Sequence, residues 1–287
     1  MTGEPGRESA AGSPASLLTR WLRVHVAERW RLLDVQETSP RVGRVSARTA
    51  ALVTAVVAAA MVTFLRFTVM DRAVQVSIAT LVEVAGAALH PALGDVLRRQ
   101  HLLLINLTWV TGCFTCYFAV PALVVVHGFG ARLSTFYLMP RHYLRHLPVY
   151  AALFLPVGLL VAIAARNPEF LEAYPFYAPH RGWVDLAVWE LGYAVQFLSL
   201  EFFFRGFLLK GLGAEMGSMA IVAMITPYCM IHFGKPLPEC LGSIVAGLVL
   251  GTLAMQTRSI WGGVTIHVAV AWSMDAAAVW HKAARWQ

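Results

Sequence analysis

Charge is scarce in this chain. Asp, Glu, Lys and Arg make up 14% of its 287 residues, against about 25% in ordinary soluble domains. So little charge excludes the solvated surface that a soluble protein of this length needs. Cysteine is also sparse, with four in all, and this excludes the disulfide framework of a small secreted domain. Cys113 and Cys116 sit inside an apolar run. A lone C-x-x-C with no second pair reads as packing, not metal or redox chemistry. Residues 1–15 are polar and rich in Gly, Ser and Pro, so no apolar core of a cleavable signal peptide is expected there, and that stretch reads as disordered. The chain also lacks G-x-S-x-G, a Walker loop, H-E-x-x-H and G-x-G-x-x-G. Serine-hydrolase, nucleotide-loop, zincin and dinucleotide chemistries therefore lose their usual signatures.

What the chain has instead is hydrophobicity, at 58% of residues, gathered in runs long enough to cross a bilayer. A membrane helix needs about 20 residues, and lipid gives the backbone no hydrogen-bond partner, so such runs must be helical. Spans are expected near 49–70, 102–126, 147–165, 184–204, 216–234, 240–256 and 260–280. The stretch 73–91 is apolar but holds Glu83 near its centre; it is expected to be interfacial or re-entrant, with an eighth span as the alternative. The fold class is thus all-α, a polytopic bundle of about seven to eight transmembrane helices. Residues 1–48 form an N-terminal segment, 49–183 a first group of membrane helices and 184–287 the group bearing the chemistry.

The net charge of +7 sits at the ends of apolar runs, the placement expected for lipid headgroups and topology, not for nucleic acid. Residues 16–33 mix Leu, Val and Trp with Arg20, Arg23, Arg29 and Arg31. They read as an amphipathic helix on the membrane surface, with a solvated basic linker as the plainer alternative. Eight arginines precede the first span, which places the N-terminus in the cytoplasm of a plasma (inner) membrane protein. With seven spans, the loop of Arg132, Arg141 and Arg145, the turn of Arg205 and Lys210, and Arg258 fall on that same side.

Ionisable residues inside membrane helices are costly and functional by default. Glu201 and Arg205 are four apart, on one helical face. His232 and His267 lie on two further spans. Glu190, eleven residues before Glu201, returns to the same face about three turns away and reads as lining a cavity or lying at the interface. Asp275 shares a face with His267 and Ala271, and either orients His267, counters Arg205 or sits at headgroup level. A desolvated carboxylate can take a proton from water, one imidazole can hold that water, and another can stabilise an oxyanion. The same two histidines and glutamate would also suit zinc with one open position. His142 and His146 have metal-ligand spacing, but arginines crowd them and no acid is near, so they read as a basic interfacial helix.

These motifs resemble the CPBP family, the CAAX-protease and bacteriocin-processing membrane peptidases. The family's two glutamates, three residues, then arginine appear as Leu200-Glu201-Phe202-Phe203-Phe204-Arg205. Its aromatic-x-x-x-His appears as Tyr228 and His232, and its third motif as His267 and Ala271. The resemblance implies an intramembrane endopeptidase acting on a membrane-associated protein or peptide near the bilayer surface. In it Glu201 is the base, His232 holds the water or a metal, His267 binds the oxyanion or a metal, and Arg205 pairs with a carboxylate. Zinc on Glu201, His232 and His267 is one option and metal-free hydrolysis the other. Two departures stand out: the first glutamate is Leu200, and the amide position is Ala271. Tyr228, Lys235, Glu239 and Asp275 are the candidates for supporting roles. The family's myxosortases suggest surface-protein sorting signals as one substrate class. The rival functions are a catalytically silent scaffold or immunity protein and, further off, a transporter, for which no internal repeat is visible.

Overall fold

The computed structural model describes residues 28–140, 143–177 and 182–284. The expected disorder of 1–15, residues 16–27 of the amphipathic segment, and His142 lie outside the described residues. Among the described residues, β-structure is confined to a two-residue-per-strand hairpin, β1 (Arg41–Val42) against β2 (Val45–Ser46); everything else is helix or turn. The helices are α1 (Glu28–Glu37), α2 (Ala47–Val69), α3 (Arg72–Leu89), α4 (Pro91–Arg99) and α5 (His101–Gly128). They are followed by α6 (Tyr143–Ala164), α7 (Pro168–Ala173), α8 (Trp183–Met216), α9 (Met219–Met230), α10 (Leu237–Thr257) and α11 (Trp261–Ala284). Seven of them, α2, α3, α5, α6, α8, α10 and α11, are long and apolar enough to cross a membrane. The chain is a multi-pass membrane protein. Large apolar side chains such as Leu52, Val56, Phe67, Leu155 and Leu159 point outward, as helices solvated by lipid require.

Two expectations about the spans are corrected. The fifth span, expected over 216–234, contains a helix of 12 residues, about 18 Å long and well short of the roughly 30 Å of hydrocarbon. Pro227 lies inside it, and Gly234 at φ +96° and Pro236 turn the chain beyond it. Residues 72–89, by contrast, form a helix of spanning length. Asp71 caps it by accepting from the Ala73 and Val74 amides.

The contacts of α3 nevertheless favour continuation over return. A Cβ on Gly112 of α5 would meet the Val69 side chain at 2.4 Å, and Glu83 touches His101 at the start of α5 at 2.5 Å. At the other end of α5, the Phe129 carbonyl accepts from the Arg44 amide at 2.7 Å, beside the start of α2. Both α2 and α3 therefore run antiparallel to α5, one along each half of it. The chain bends at Met70–Asp71 without doubling back.

One end of the bundle gathers segments distant in sequence. Asp34 accepts from the Ser218 amide at 2.7 Å, and the Tyr137 carbonyl accepts from the Ile260 amide at 3.0 Å. Glu37, fully buried, lies 2.6 Å from Lys210 and 3.6 Å from Arg258. The N-terminal segment, the loop after α5, the end of α8 and the Arg258 turn thus share one face, as the charge pattern required. Its α1 packs against the bundle through Leu33 and Glu37. Replacing Glu37 with Ala should cost about 1–3 kcal/mol, the usual value of lost hydrogen bonds to charged groups. The readout is thermal unfolding in detergent, with faster proteolysis between residues 28 and 46.

The short helix α9 sits deep in the bundle. A Cβ on Gly247 of α10 would lie 3.3 Å from Tyr228 Cδ1, and one on Gly251 would lie 3.1 Å from Ile221 Cγ2. Such close approach of small residues is how membrane helices pack. Gly247 is halfway along the 21-residue α10, so Tyr228 stands near mid-depth. Irregular backbone that deep is tolerated only inside protein or beside a water-filled cavity.

Candidate active site

The chain around Glu201 is locally unusual. From Phe202 to Leu208 the helix widens to a π-helix, and every residue from Ser199 to Leu209 is buried. π-Segments of this kind occur mostly at functional positions. Gly206 lets this stretch sit against its neighbours, because a Cβ there would be 2.8 Å from the Phe136 carbonyl oxygen. Glu201 and Arg205 are each 0% exposed. Arg205 Nη1 lies 3.0 Å from Glu201 Oε1, within ion-pair reach although not aligned as a hydrogen bond. A buried, bare carboxylate would be prohibitive in lipid, and this pairing is what keeps it ionised.

His267 completes the cluster from α11. Its Nδ1 lies 2.9 Å from Glu201 Oε1 and makes an aligned contact of 3.1 Å to the Gly263 carbonyl. Both neighbours only accept, so Nδ1 carries the proton. Nε2 faces the Tyr228 hydroxyl at 3.0 Å, and the ring stacks on Phe197 with centroids 5.6 Å apart. Tyr228 in turn lies under the Arg205 guanidinium, 4.1 Å from its ring centroid. His232, in the turn after α9, packs edge-on to the Tyr228 ring and has Nδ1 2.8 Å from the Tyr228 carbonyl oxygen. A carbonyl only accepts, so this Nδ1 is also protonated and Nε2 of the neutral ring is left as an acceptor. Glu201 and Tyr228 are buried, while His232 and His267 are half-buried.

Glu201, Arg205, Tyr228, His232 and His267 thus come together. Lys235 adjoins His232, whose carbonyl accepts from the Lys235 amide at 3.1 Å, while Glu239 and Asp275 lie apart from the cluster. Lys235 and Glu239 pair with each other at 3.5 Å and are half-exposed and partly exposed. Asp275 is 3% exposed and accepts from the Phe176 amide at 3.1 Å. It also faces Glu190 and Trp189. The loop before α8 reports the same neighbourhood: burial pushes the Tyr174 phenol up, and the Glu239 and Asp275 carboxylates push it further. His267 and Asp275 share a helical face as expected, but eight residues of helix separate them by about 12 Å. Asp275 holds the Phe176 loop instead. At 271 the missing amide is matched by its surroundings, since Ala271 is buried in a cluster with Trp189 and Tyr193.

The glycines of Trp261-Gly262-Gly263 are site residues that the sequence did not mark. A Cβ on Gly263 would be 2.2 Å from Glu201 Oε2, and one on Gly262 would be 1.8 Å from the Tyr150 ring. Neither glycine needs an unusual φ; they are small because side chains from other helices occupy their space.

The three side chains expected to share a zinc, Glu201, His232 and His267, each meet protein partners here. Among the described residues, no group of three or more His, Cys, Asp and Glu side chains is placed to hold a metal ion. Both His267 nitrogens are engaged, and the Glu201 carboxylate already faces a guanidinium. A metal shared by Glu201, His232 and His267 would have to break these contacts.

No curated protein and no solved structure matches the chain. Residues 182–273, which contain all five clustered side chains, match the family model of the Rce1-like type II CAAX prenyl endopeptidases.

Proposed function

We propose that this protein is an intramembrane endopeptidase that hydrolyses a peptide bond of a membrane-associated protein or peptide. The observation that carries the proposal is a fully buried carboxylate 2.9 Å from an imidazole at mid-depth of the bundle. Glu201 acts through His267: its charge keeps Nδ1 protonated and leaves Nε2 to receive the proton that hydrolysis releases. The imidazolium so formed sits beside the oxyanion that develops on the carbonyl. His232, with its Nε2 turned away from the Tyr228 carbonyl, positions the attacking water. Arg205 holds Glu201 ionised and supplies countercharge. A myxosortase-like sorting signal is one substrate class compatible with this site, and by the excess of arginine the end bearing Glu37 faces the cytoplasm.

A second reading, a catalytically silent membrane scaffold, is favoured by one observation: the positions of the family's first glutamate and its amide are Leu200 and Ala271, both apolar and buried. The two readings separate in lipid nanodiscs. The probe is an internally quenched peptide bearing a prenylated cysteine and two aliphatic residues near its carboxyl end. Wild type is expected to cleave it, with His267→Ala slower by about 10²–10⁴-fold, the usual contribution of a general base. Cleavage at equal rates by both would exclude the mechanism. A silent wild type whose cellular phenotype survives Glu201→Gln would favour the scaffold.

A further inference from the structure

We infer that Tyr228 is itself catalytic, the group through which protons pass between His267 and the substrate. This rests on the hydrolytic reading above and adds a residue to it. Three observations converge on the phenol. Its oxygen lies 3.0 Å from His267 Nε2. Because Nδ1 of that ring points at the acceptors Glu201 Oε1 and Gly263 O, Nε2 of the neutral ring accepts the Tyr228 proton. The result is an unbroken line of hydroxyl, imidazole and carboxylate, the order in which a hydroxyl is activated by a histidine that an acid orients. The guanidinium 4.1 Å over the ring favours negative charge developing on the phenol. The ring also packs against His232, whose Nδ1 its own carbonyl engages.

The proton bookkeeping closes. As water attacks the carbonyl carbon, its proton passes to the Tyr228 oxygen while the Tyr228 proton passes to His267 Nε2. When the tetrahedral intermediate collapses and the C–N bond breaks, His267 returns its proton to Tyr228, which delivers one to the leaving amine. Phenol and imidazole are both regenerated, and no oxidant or metal takes part. This gives the leaving group a donor.

Tyr228→Phe removes the hydroxyl and keeps the ring under Arg205. In nanodiscs with the same prenylated probe, kcat is expected to fall by about 10²-fold or more with KM unchanged. In ¹⁵N-histidine NMR of the full chain, the His267 Nε2 signal is expected to shift in Tyr228→Phe and the Nδ1 signal to stay. Wild-type turnover by Tyr228→Phe, alongside loss in His267→Ala, would overturn the role of Tyr228 and leave the hydrolase standing. An unmoved Nε2 signal would overturn it as well. A wild type that cleaves nothing would bring down both.

Discussion

Arg205→Met should be among the most damaging single substitutions in the protein, and adding Glu201→Leu should undo most of the damage to stability. Both side chains are completely buried and 3.0 Å apart. Removing one partner strands the other charge in an apolar interior, at a cost of about 3–5 kcal/mol. Removing both exchanges the pair for hydrocarbon, which is often neutral or stabilising. Activity should not follow stability: the double variant folds but does not hydrolyse, because His267 has lost the carboxylate that orients it. Unfolding in detergent of wild type, Arg205→Met and the double variant checks the first half of this expectation. If Arg205→Met is as stable as wild type, water reaches the pair and its burial has been misjudged.

Gly263→Ala should reduce hydrolysis by about 10²-fold, the scale for a catalytic group misplaced by an ångström. Glycine to alanine within a helix ordinarily stabilises by up to about 1 kcal/mol. Here the contact decides the sign. The new Cβ would be 2.2 Å from Glu201 Oε2 and 2.6 Å from its Cδ, well inside contact distance. A surface carboxylate would swing away, but this one is held by Arg205 on one side and His267 on the other. Overpacking of this kind costs about 1–3 kcal/mol, and the displacement falls on the carboxylate that orients His267. Gly242→Ala is the control, since no atom lies within 4 Å of its added Cβ; it should raise stability by up to about 1 kcal/mol and leave the rate near wild type. Equal activity in both variants would mean that Glu201 tolerates displacement.

The residues that sequence could identify were those whose own chemistry is anomalous in lipid. A glutamate and arginine four apart among phenylalanines stand out, and so do two histidines on separate apolar segments. Composition and run length give the helical membrane class for the same reason. Less legible was anything that depends on what stands opposite. Nothing in the sequence marks Gly262 and Gly263; Tyr150 and Glu201, from other helices, fill the space above them. Tyr228 reads as a motif aromatic in a supporting role, and only the fold brings its hydroxyl to His267. The shortness of α9 was signalled by Pro227, Gly234 and Pro236, yet the apolar run through Ile231 masked the break. The continuation of α3 along α5 is a tertiary fact that no hydropathy pattern carries. Asp275 shows the limit of face arithmetic: it gives direction around a helix correctly and says little about distance along it.

Depth is what unites the site. A helix too short to cross brings Tyr228 and His232 to the middle of the bundle, where α8 and α11 present Glu201 and His267. Polar chemistry there needs protein on all sides, and the buried aromatic stretch from Phe202 to Phe207 provides it.

The most direct test is hydrolysis of the prenylated probe in water enriched in ¹⁸O, with mass spectrometry of the products. Wild type should place one ¹⁸O atom in the new terminal carboxyl group, and Glu201→Gln should give no product above background. Equal ¹⁸O incorporation by both proteins would contradict a catalytic role for the buried carboxylate.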